Sequence, residues 1–380
     1  MTGSFLLLAT TIGSALLIGF IPALMSRLRP VLASGLELSD QAVDRLKTAY
    51  LLSLIPLMIS AGWAVDRFEP KEVLFAGNLL AALGIAALAL RPSYHAAFWV
   101  VLVLGVATAC LTCAGIVVMP KAFWGDENES AASLNFGFLA VGVGALLAPL
   151  LCHLFLKRLG FRKCLLLLAF LCLLPPTFTV FTPGAEFQRE EHAALSSTIL
   201  EAPVLWLAIL VMLLYYPLEG SLDSWVKTYL ANLGYDEKKI PLWYAAFWGA
   251  FLAARLTAGL YLDHRYEAWV IFFLVLASAV TLGNLAGAYG QRSVRELLLV
   301  GVFLGSILPT FLGVVLRQFP EAQGTAVGIL FSLGTISSLV VQPVLVRLAR
   351  GYSVQVTILV PLFLALAVAV PCLILALVRQ

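Results

Sequence analysis

Long apolar stretches alternate with short polar ones along nearly the whole chain. Runs such as 5–25, 73–90 and 204–218 are, with their flanks, long enough to cross a hydrocarbon core about 30 Å thick as α-helices. Breaks in this pattern predict twelve membrane spans with mostly short connections. The spans are expected near residues 4–26, 42–65, 72–90, 96–118, 131–156, 163–182, 203–230, 240–261, 267–288, 295–317, 320–347 and 353–377.

The longest connection falls close to the middle of the chain, at 183–202. It predicts a hinge between two six-helix halves, 1–182 and 203–380. A weak internal repeat supports the division, because GWAVDR at 62–67 closes the second span and GLYLDHR at 259–265 closes the eighth, half a chain apart. Two halves with the same order of helices are expected to show such a recurrence.

The composition agrees with a chain whose main solvent is lipid. Hydrophobic residues make up 61% and charged residues 12%, whereas soluble domains carry about a quarter charged residues. The net charge of +3 is scattered, so we expect no nucleic-acid partner. The six cysteines lie in apolar runs and the four histidines are dispersed. This pattern favours neither a metal site nor an enzyme, and we expect no cofactor.

The connection after the second span carries a recognisable motif. Residues 62–67 resemble the signature loop of the major facilitator superfamily, in which glycine allows two helices to approach and an Asp/Arg pair latches them on the cytoplasmic side. Glu69 and Pro70 replace the usual Gly and Arg, so the latch is expected to be weaker or differently arranged. The candidate latch residues are Gly62, Asp66, Arg67, Asp263 and Arg265.

Two further stretches are similar to the fucose-permease-like branch of that superfamily, whose members are mostly sugar/proton symporters. One lies at 119–149 and the other at 218–255. The resemblance implies an all-α fold of twelve transmembrane helices in two pseudo-symmetric halves, with a central cavity and alternating access. It also implies a multi-pass protein of the cell (inner) membrane with both termini in the cytoplasm.

The basic residues oppose that orientation. The family topology places seven of the connecting Lys and Arg residues on the cytoplasmic side and sixteen outside. The positive-inside rule alone would invert the protein. We follow the signature loop.

Intramembrane carboxylates are the first candidates for function, because a charge in the bilayer interior is costly. The first half has almost none inside its spans, unlike the fucose permeases, which puts proton coupling in question. Tyr215, Glu219 and Asp223 share one face of span seven, with Glu219 near its midpoint. Glu219 is the candidate for sugar hydroxyls and for a proton. Alternatively, Glu219 pairs with Arg255 or Lys227 and only holds helices together. The alternative for Asp223 is a solvated side chain near the outer end of the span.

Other candidates are uncharged or serve as braces. Arg255 in span eight suits a structural brace or a bidentate carboxylate pair. Trp248 offers a flat face to a sugar ring, or belongs to an interfacial belt. Asn135 and Gln342 hydrogen-bond either substrate hydroxyls or neighbouring helices.

We therefore expect a monomeric secondary transporter whose partners are a small polar solute, a sugar first of all, protons and the lipid bilayer. An exporter of amphipathic or drug-like compounds is the alternative within transport, because the first half offers a nearly apolar lining. A membrane receptor that does not transport is the alternative from another class.

Overall fold

The computed structural model describes residues 5–26, 39–91, 93–123, 130–184, 198–288, 290–352 and 357–378. Their regular secondary structure consists of helices. The first seven are α1 (Phe5–Ser26), α2 (Asp40–Arg67), α3 (Pro70–Leu90), α4 (Tyr94–Phe123), α5 (Ser130–Cys172), α6 (Leu174–Phe181) and α7 (Thr198–Glu201). The second seven are α8 (Pro203–Asn232), α9 (Ile240–Tyr261), α10 (Glu267–Ala286), α11 (Gln291–Gly305), α12 (Ile307–Leu316), α13 (Gln323–Gly351) and α14 (Leu359–Val378).

These helices form twelve membrane spans. Ten stretches of the described chain are long and apolar enough to cross a bilayer. One of them, Ser130–Phe181, has 52 residues and would be about 78 Å long if straight, more than twice the hydrocarbon thickness. It is broken at Gly160, whose φ of 73° and ψ of 175° are accessible almost only to glycine, and so provides two spans. The 22 residues of α9 complete the set, which confirms the predicted all-α fold.

The chain forms two compact units. The first contains Met1–Glu127, Gly137–Ser196 and Phe319–Ser332, and the second contains Asn128–Phe136, Ser197–Gln318 and Leu333–Gln380. Each unit thus includes a short segment from the other half of the chain. Most of the central connection, at 185–197, lies outside the described residues.

Each unit has one central span. In the first unit α4 packs against α1, α2 and α3, and in the second the span made of α11 and α12 packs against α9 and α10. In both central spans 78% of the apolar stretch is buried, against 33–56% in the eight other long apolar stretches. Spans four and ten hold the same position in the order of the two halves, as a repeated six-helix design requires.

Glycines allow backbones to touch within the first unit. A Cβ on Gly19 would lie 1.8 Å from the carbonyl oxygen of Val141, and one on Gly144 would lie 2.0 Å from that of Leu16. No larger residue fits at either position unless the helices separate. Spans one and five therefore pack by close backbone contact, the usual way in which helices associate in lipid.

The second unit contains a buried ion pair. Glu267, in the first turn of α10, has a side chain 2% exposed, and it accepts two hydrogen bonds from the guanidinium of Arg317, which follows α12. Two parallel bonds of this kind fix both side chains. The pair joins the start of span nine to the end of span ten.

We predict that Arg317→Met destabilises the protein by about 3–5 kcal/mol, because it leaves the Glu267 carboxylate buried without its cation. The measurement is thermal unfolding of purified protein in detergent. Adding Glu267→Gln to the same variant should restore most of the loss. A double variant as unstable as Arg317→Met alone would contradict this account of the pair.

Candidate functional site

Glu219 lies near the middle of α8, at the depth of the membrane interior. Its side chain is 20% exposed, and its Oε1 is 3.5 Å from Nη2 of Arg255 on α9. The other oxygen, Oε2, is buried and has no hydrogen-bond partner among the described residues. The carboxylate is therefore half satisfied: one oxygen faces a cation and the other remains available.

Arg255 is held in place by two further contacts. Its Nε donates a hydrogen bond of 2.9 Å to the carbonyl of Gly305, and its guanidinium lies 4.6 Å from the ring centroid of Phe251. Gly305 is the last residue of α11, and Pro309 lies four residues further on. Because proline has no N–H, the Gly305 carbonyl cannot receive its ordinary helical hydrogen bond. Arg255 supplies the donor that Pro309 lacks.

Tyr215 contacts the same break in span ten. It is 1% exposed and its hydroxyl donates a 2.8 Å hydrogen bond to the carbonyl of Leu304. The backbones come close here, because a Cβ on Gly305 would lie 2.3 Å from the carbonyl oxygen of Phe251. Two side chains selected from the sequence, Tyr215 and Arg255, thus bind adjacent carbonyls at the α11–α12 junction.

Two further polar atoms, on the helices α9 and α13, lack partners among the described residues. The Oγ of Ser338 and the indole Nε1 of Trp248 are buried and without a hydrogen bond in the described part of the chain. A Cβ on Gly220 would lie 3.4 Å from Nε2 of Gln342 and 3.7 Å from Oγ of Ser338, so α13 passes α8 beside Glu219.

Trp248 reaches the cluster through an aromatic neighbour. Its ring meets that of Phe251 edge to face at 5.1 Å, and Phe251 lies under Arg255. The cluster of Tyr215, Glu219, Arg255, Trp248, Ser338 and Gln342 is called the Glu219 cluster below.

Two other predicted binding residues, Asn135 and Asp223, are not among these six. Asn135, on α5, is fully buried and donates hydrogen bonds to the Ala131 carbonyl and to Oγ1 of Thr310, at 2.8 and 2.9 Å. The side chain of Asp223 is outside the described part of the structure. Lys227, the other predicted cation for Glu219, lies 3.9 Å from the ring centroid of Tyr244.

The signature loop caps a helix. The carboxylate of Asp66 accepts hydrogen bonds from the backbone N–H groups of Gly324 and Thr325, at 2.8 and 2.6 Å, in the first turn of α13. Gly62 permits this approach, because a Cβ there would lie 2.3 Å from the Gly324 carbonyl oxygen. A carboxylate at this position satisfies free donors and complements the positive end of the helix dipole.

The other predicted latch residues are on the surface. Arg67 and Arg265 are exposed. Asp263 has a side chain 50% exposed, and it accepts a 2.9 Å hydrogen bond from the N–H of Arg265 within its own turn. The structure thus brings Gly62 and Asp66 to the helix that they contact and leaves the other three residues at exposed helix ends.

A sequence profile of the Major Facilitator Superfamily matches residues 3–342, most of the chain. The protein belongs to this superfamily. The prediction made from the signature loop is thereby confirmed, and so is the assignment to a family of transporters. No curated protein gives a significant match over its sequence.

Several solved structures of major facilitator transporters share the fold. An E. coli fucose:proton symporter is 17% identical, with a TM-score of 0.75 over 98% of this chain and 99% of that one. A proton:xylose symporter is 13% identical, with a TM-score of 0.76 over 96% and 94% of the two chains. A human organic anion transporter is 12% identical, with a TM-score of 0.69 over 97% of both. At such identities the likeness extends to the fold alone.

Within this major facilitator fold, three features of the site did not emerge from the sequence. The break at Ser306, the role of the Gly305 carbonyl and the unpaired hydroxyl of Ser338 all depend on contacts between helices. A signal for the first was present, because Pro309 sits in the middle of the predicted tenth span. A proline within a helix leaves the carbonyl of the residue four positions earlier without its usual N–H donor.

We predict that Asp66→Ala lowers the free energy of unfolding by about 1–2 kcal/mol, because two first-turn N–H groups of α13 lose their acceptor. The matched control is Arg67→Ala, which removes an exposed neighbour and should change stability by less than about 0.5 kcal/mol. Thermal unfolding of both variants in the same detergent tests the difference. Equal losses in the two variants would show that the Asp66 cap is not what stabilises this contact.

Proposed function

We propose that this major facilitator protein is a secondary active transporter of a small polar solute of the sugar class, working by alternating access. The observation that carries the proposal is the half-satisfied carboxylate of Glu219, whose Oε1 faces Arg255 while its buried Oε2 has no partner in the described part of the chain. A buried acceptor without a donor is costly, so a site that keeps one is suited to a ligand that brings a hydroxyl group.

The neighbours of Glu219 suit the same ligand. Ser338 and Gln342 add a hydroxyl and an amide beside Gly220, and Trp248 adds an aromatic ring. An aromatic face covers the apolar side of a sugar ring while polar groups bind its hydroxyls. Tyr215 already donates to Leu304 and therefore acts in positioning. Asn135, whose Oδ1 accepts no hydrogen bond from a described residue, and Asp223 are proposed as secondary contacts.

We further propose that Glu219 carries the coupling proton. When ionised, it neutralises Arg255 across 3.5 Å, and when protonated, it withdraws that charge and can itself donate a hydrogen bond. Arg255 remains tied to the Gly305 carbonyl in either state. Protonation of one carboxylate would thus change how span seven is held against spans eight and ten. Two solved structures with this fold are described as proton symporters of fucose and of xylose.

The arrangement in the membrane follows the signature loop. We propose cytoplasmic termini, a cytoplasmic connection at 183–202, two six-helix halves at 1–182 and 203–380, and the cell (inner) membrane as the location. In this arrangement Gly62, Asp66, Arg67, Asp263 and Arg265 lie on the cytoplasmic side.

Charge argues against an anionic cargo. A human organic anion transporter shares the fold, and an anion carrier would be expected to present an uncompensated cation. Arg255 is compensated by Glu219 and by a carbonyl. With Glu219 ionised, the Glu219 cluster is therefore close to neutral, which favours an uncharged polar solute.

We expect Glu219→Gln to abolish accumulation of solute driven by a proton gradient, because the amide cannot take up a proton. Exchange of solute across the membrane at equilibrium should persist, since the amide still accepts and donates hydrogen bonds. The measurement is uptake and counterflow in proteoliposomes with and without an imposed pH gradient. The matched control is Glu237→Gln, in an exposed turn, which should behave as wild type.

Unchanged accumulation in Glu219→Gln at every pH gradient would rule out this residue as the coupling group. Loss of both accumulation and exchange, with the unfolding temperature preserved, would assign Glu219 to solute binding alone.

The class of solute is tested by a thermal-shift screen of the purified protein. Neutral monosaccharides should raise the unfolding temperature of the wild type, and Trp248→Ala should weaken that response about tenfold through the loss of one aromatic contact. Stabilisation by lipophilic cations with none by sugars would select the exporter. Binding of a sugar without counterflow would select a receptor.

A further inference from the structure

The turn between spans five and six carries a concentration of positive charge. Four exposed cations lie within three residues of Gly160. They are Lys157, Arg158, Arg162 and Lys163. None of them forms an ion pair with a described residue, and the sequence from 130 to 184 contains no Asp or Glu. We call residues 157–163 the Gly160 turn.

The backbone places this turn at the level of the lipid headgroups. The helical segment 130–159 that leads to it is about 45 Å long, which exceeds a hydrocarbon core of about 30 Å. The chain breaks at Gly160, and a Cβ at that position would meet no atom within 4 Å. No described part of the protein therefore packs against Gly160.

The helices on both sides of the turn carry exposed apolar side chains. Leu150 and Leu154, before the turn, are 52% and 39% exposed, and Leu166 and Phe170, after it, are 37% and 60% exposed. Such apolar side chains on membrane spans lie against acyl chains. The four cations therefore stand at the polar end of a lipid-facing hairpin.

The hairpin itself gains little from these charges. Lys157 and Arg158 precede the break, where a helix C-terminus favours cations, but Arg162 and Lys163 follow it, where a helix N-terminus disfavours them. Four like charges in seven residues also repel one another. The compensating negative charge has to come from outside the described protein.

We propose that the Gly160 turn is a docking surface for anionic phospholipid headgroups of the outer leaflet, the side on which cytoplasmic termini place the connection between spans five and six. Guanidinium groups bind phosphate through paired hydrogen bonds, and basic residues near an anionic membrane surface each strengthen binding. The acyl chains of the same lipid would lie along the exposed apolar sides of the two helices. Anionic lipid would then anchor spans five and six at a fixed depth.

The turn between spans seven and eight provides a matched comparison. Lys238 and Lys239 are exposed as well, but Asp236 and Glu237 precede them, and Asp236 accepts a 3.0 Å hydrogen bond from the N–H of Lys238. That turn is neutral overall. It offers two lysines whose removal should not affect anionic lipid.

The test uses the full-length protein in a neutral detergent, titrated with phosphatidylglycerol or phosphatidylcholine while the unfolding temperature is followed. We expect R162Q/K163Q to need on the order of tenfold more phosphatidylglycerol for the half-maximal rise, with an unchanged response to phosphatidylcholine. K238Q/K239Q should respond as wild type. Because the interaction is electrostatic, 0.5 M salt should weaken the wild-type response to phosphatidylglycerol.

A wild-type phosphatidylglycerol response in R162Q/K163Q would overturn the proposal, as would an equal loss in K238Q/K239Q. If R162Q/K163Q does not fold, K157Q/R158Q is the replacement, with the same expected result. Inorganic phosphate at matched concentration should give no stabilisation. If it gives as much as the lipid, the turn is a simple anion site and the lipid proposal fails.

Discussion

A proline in the middle of a buried membrane span obliges other side chains to complete the backbone hydrogen bonding. Pro309 removes the donor that the Gly305 carbonyl would use, and no water is available in hydrocarbon to replace it. Arg255 supplies the donor from a neighbouring helix and brings a positive charge with it. That charge needs an anion, and Glu219 is the anion that lies within 3.5 Å.

The need to provide buried polar groups with partners also explains where other charged side chains lie. Asp66 satisfies the first N–H groups of α13, and Arg317 satisfies Glu267 at the first turn of α10. Both occupy helix termini, where donors or acceptors are left over. The Glu219 cluster differs because three of its polar atoms have no partner among the residues that the structure describes. A cluster whose polar atoms all have hydrogen-bond partners only holds helices together. A cluster with unpartnered polar atoms can also bind a ligand through them.

The sequence was sufficient for the spans, the family and several of the residues that meet. Apolar run length determines the spans, and the predicted ranges agree with the helices to within a few residues at most ends. Spacing along α8 put Tyr215 and Glu219 on one face, and both lie in the cluster.

What the sequence could not supply are contacts across helices. Asn135 reads equally well as a ligand group or as a partner of another helix, and only the position of Thr310 shows the contact that it makes. Ser338 was passed over because an unpaired hydroxyl can be recognised only when its surroundings are known. The same holds for the predicted latch residues. Asp66 binds the first turn of α13, whereas Arg67 is exposed on the surface, and the sequence alone did not distinguish them.

The Asp66 cap also has a consequence for synthesis on the ribosome. Its acceptor oxygens and the N–H of Gly324 are 258 residues apart along the chain. At the usual elongation rates of about 5–20 residues per second, roughly 13–50 s separate the emergence of the two partners. During that interval the face of span two around Gly62 lacks the helix that it contacts in the folded protein. Until the eleventh span has been synthesised, the Asp66 carboxylate therefore lacks the two N–H groups that bind it in the folded protein.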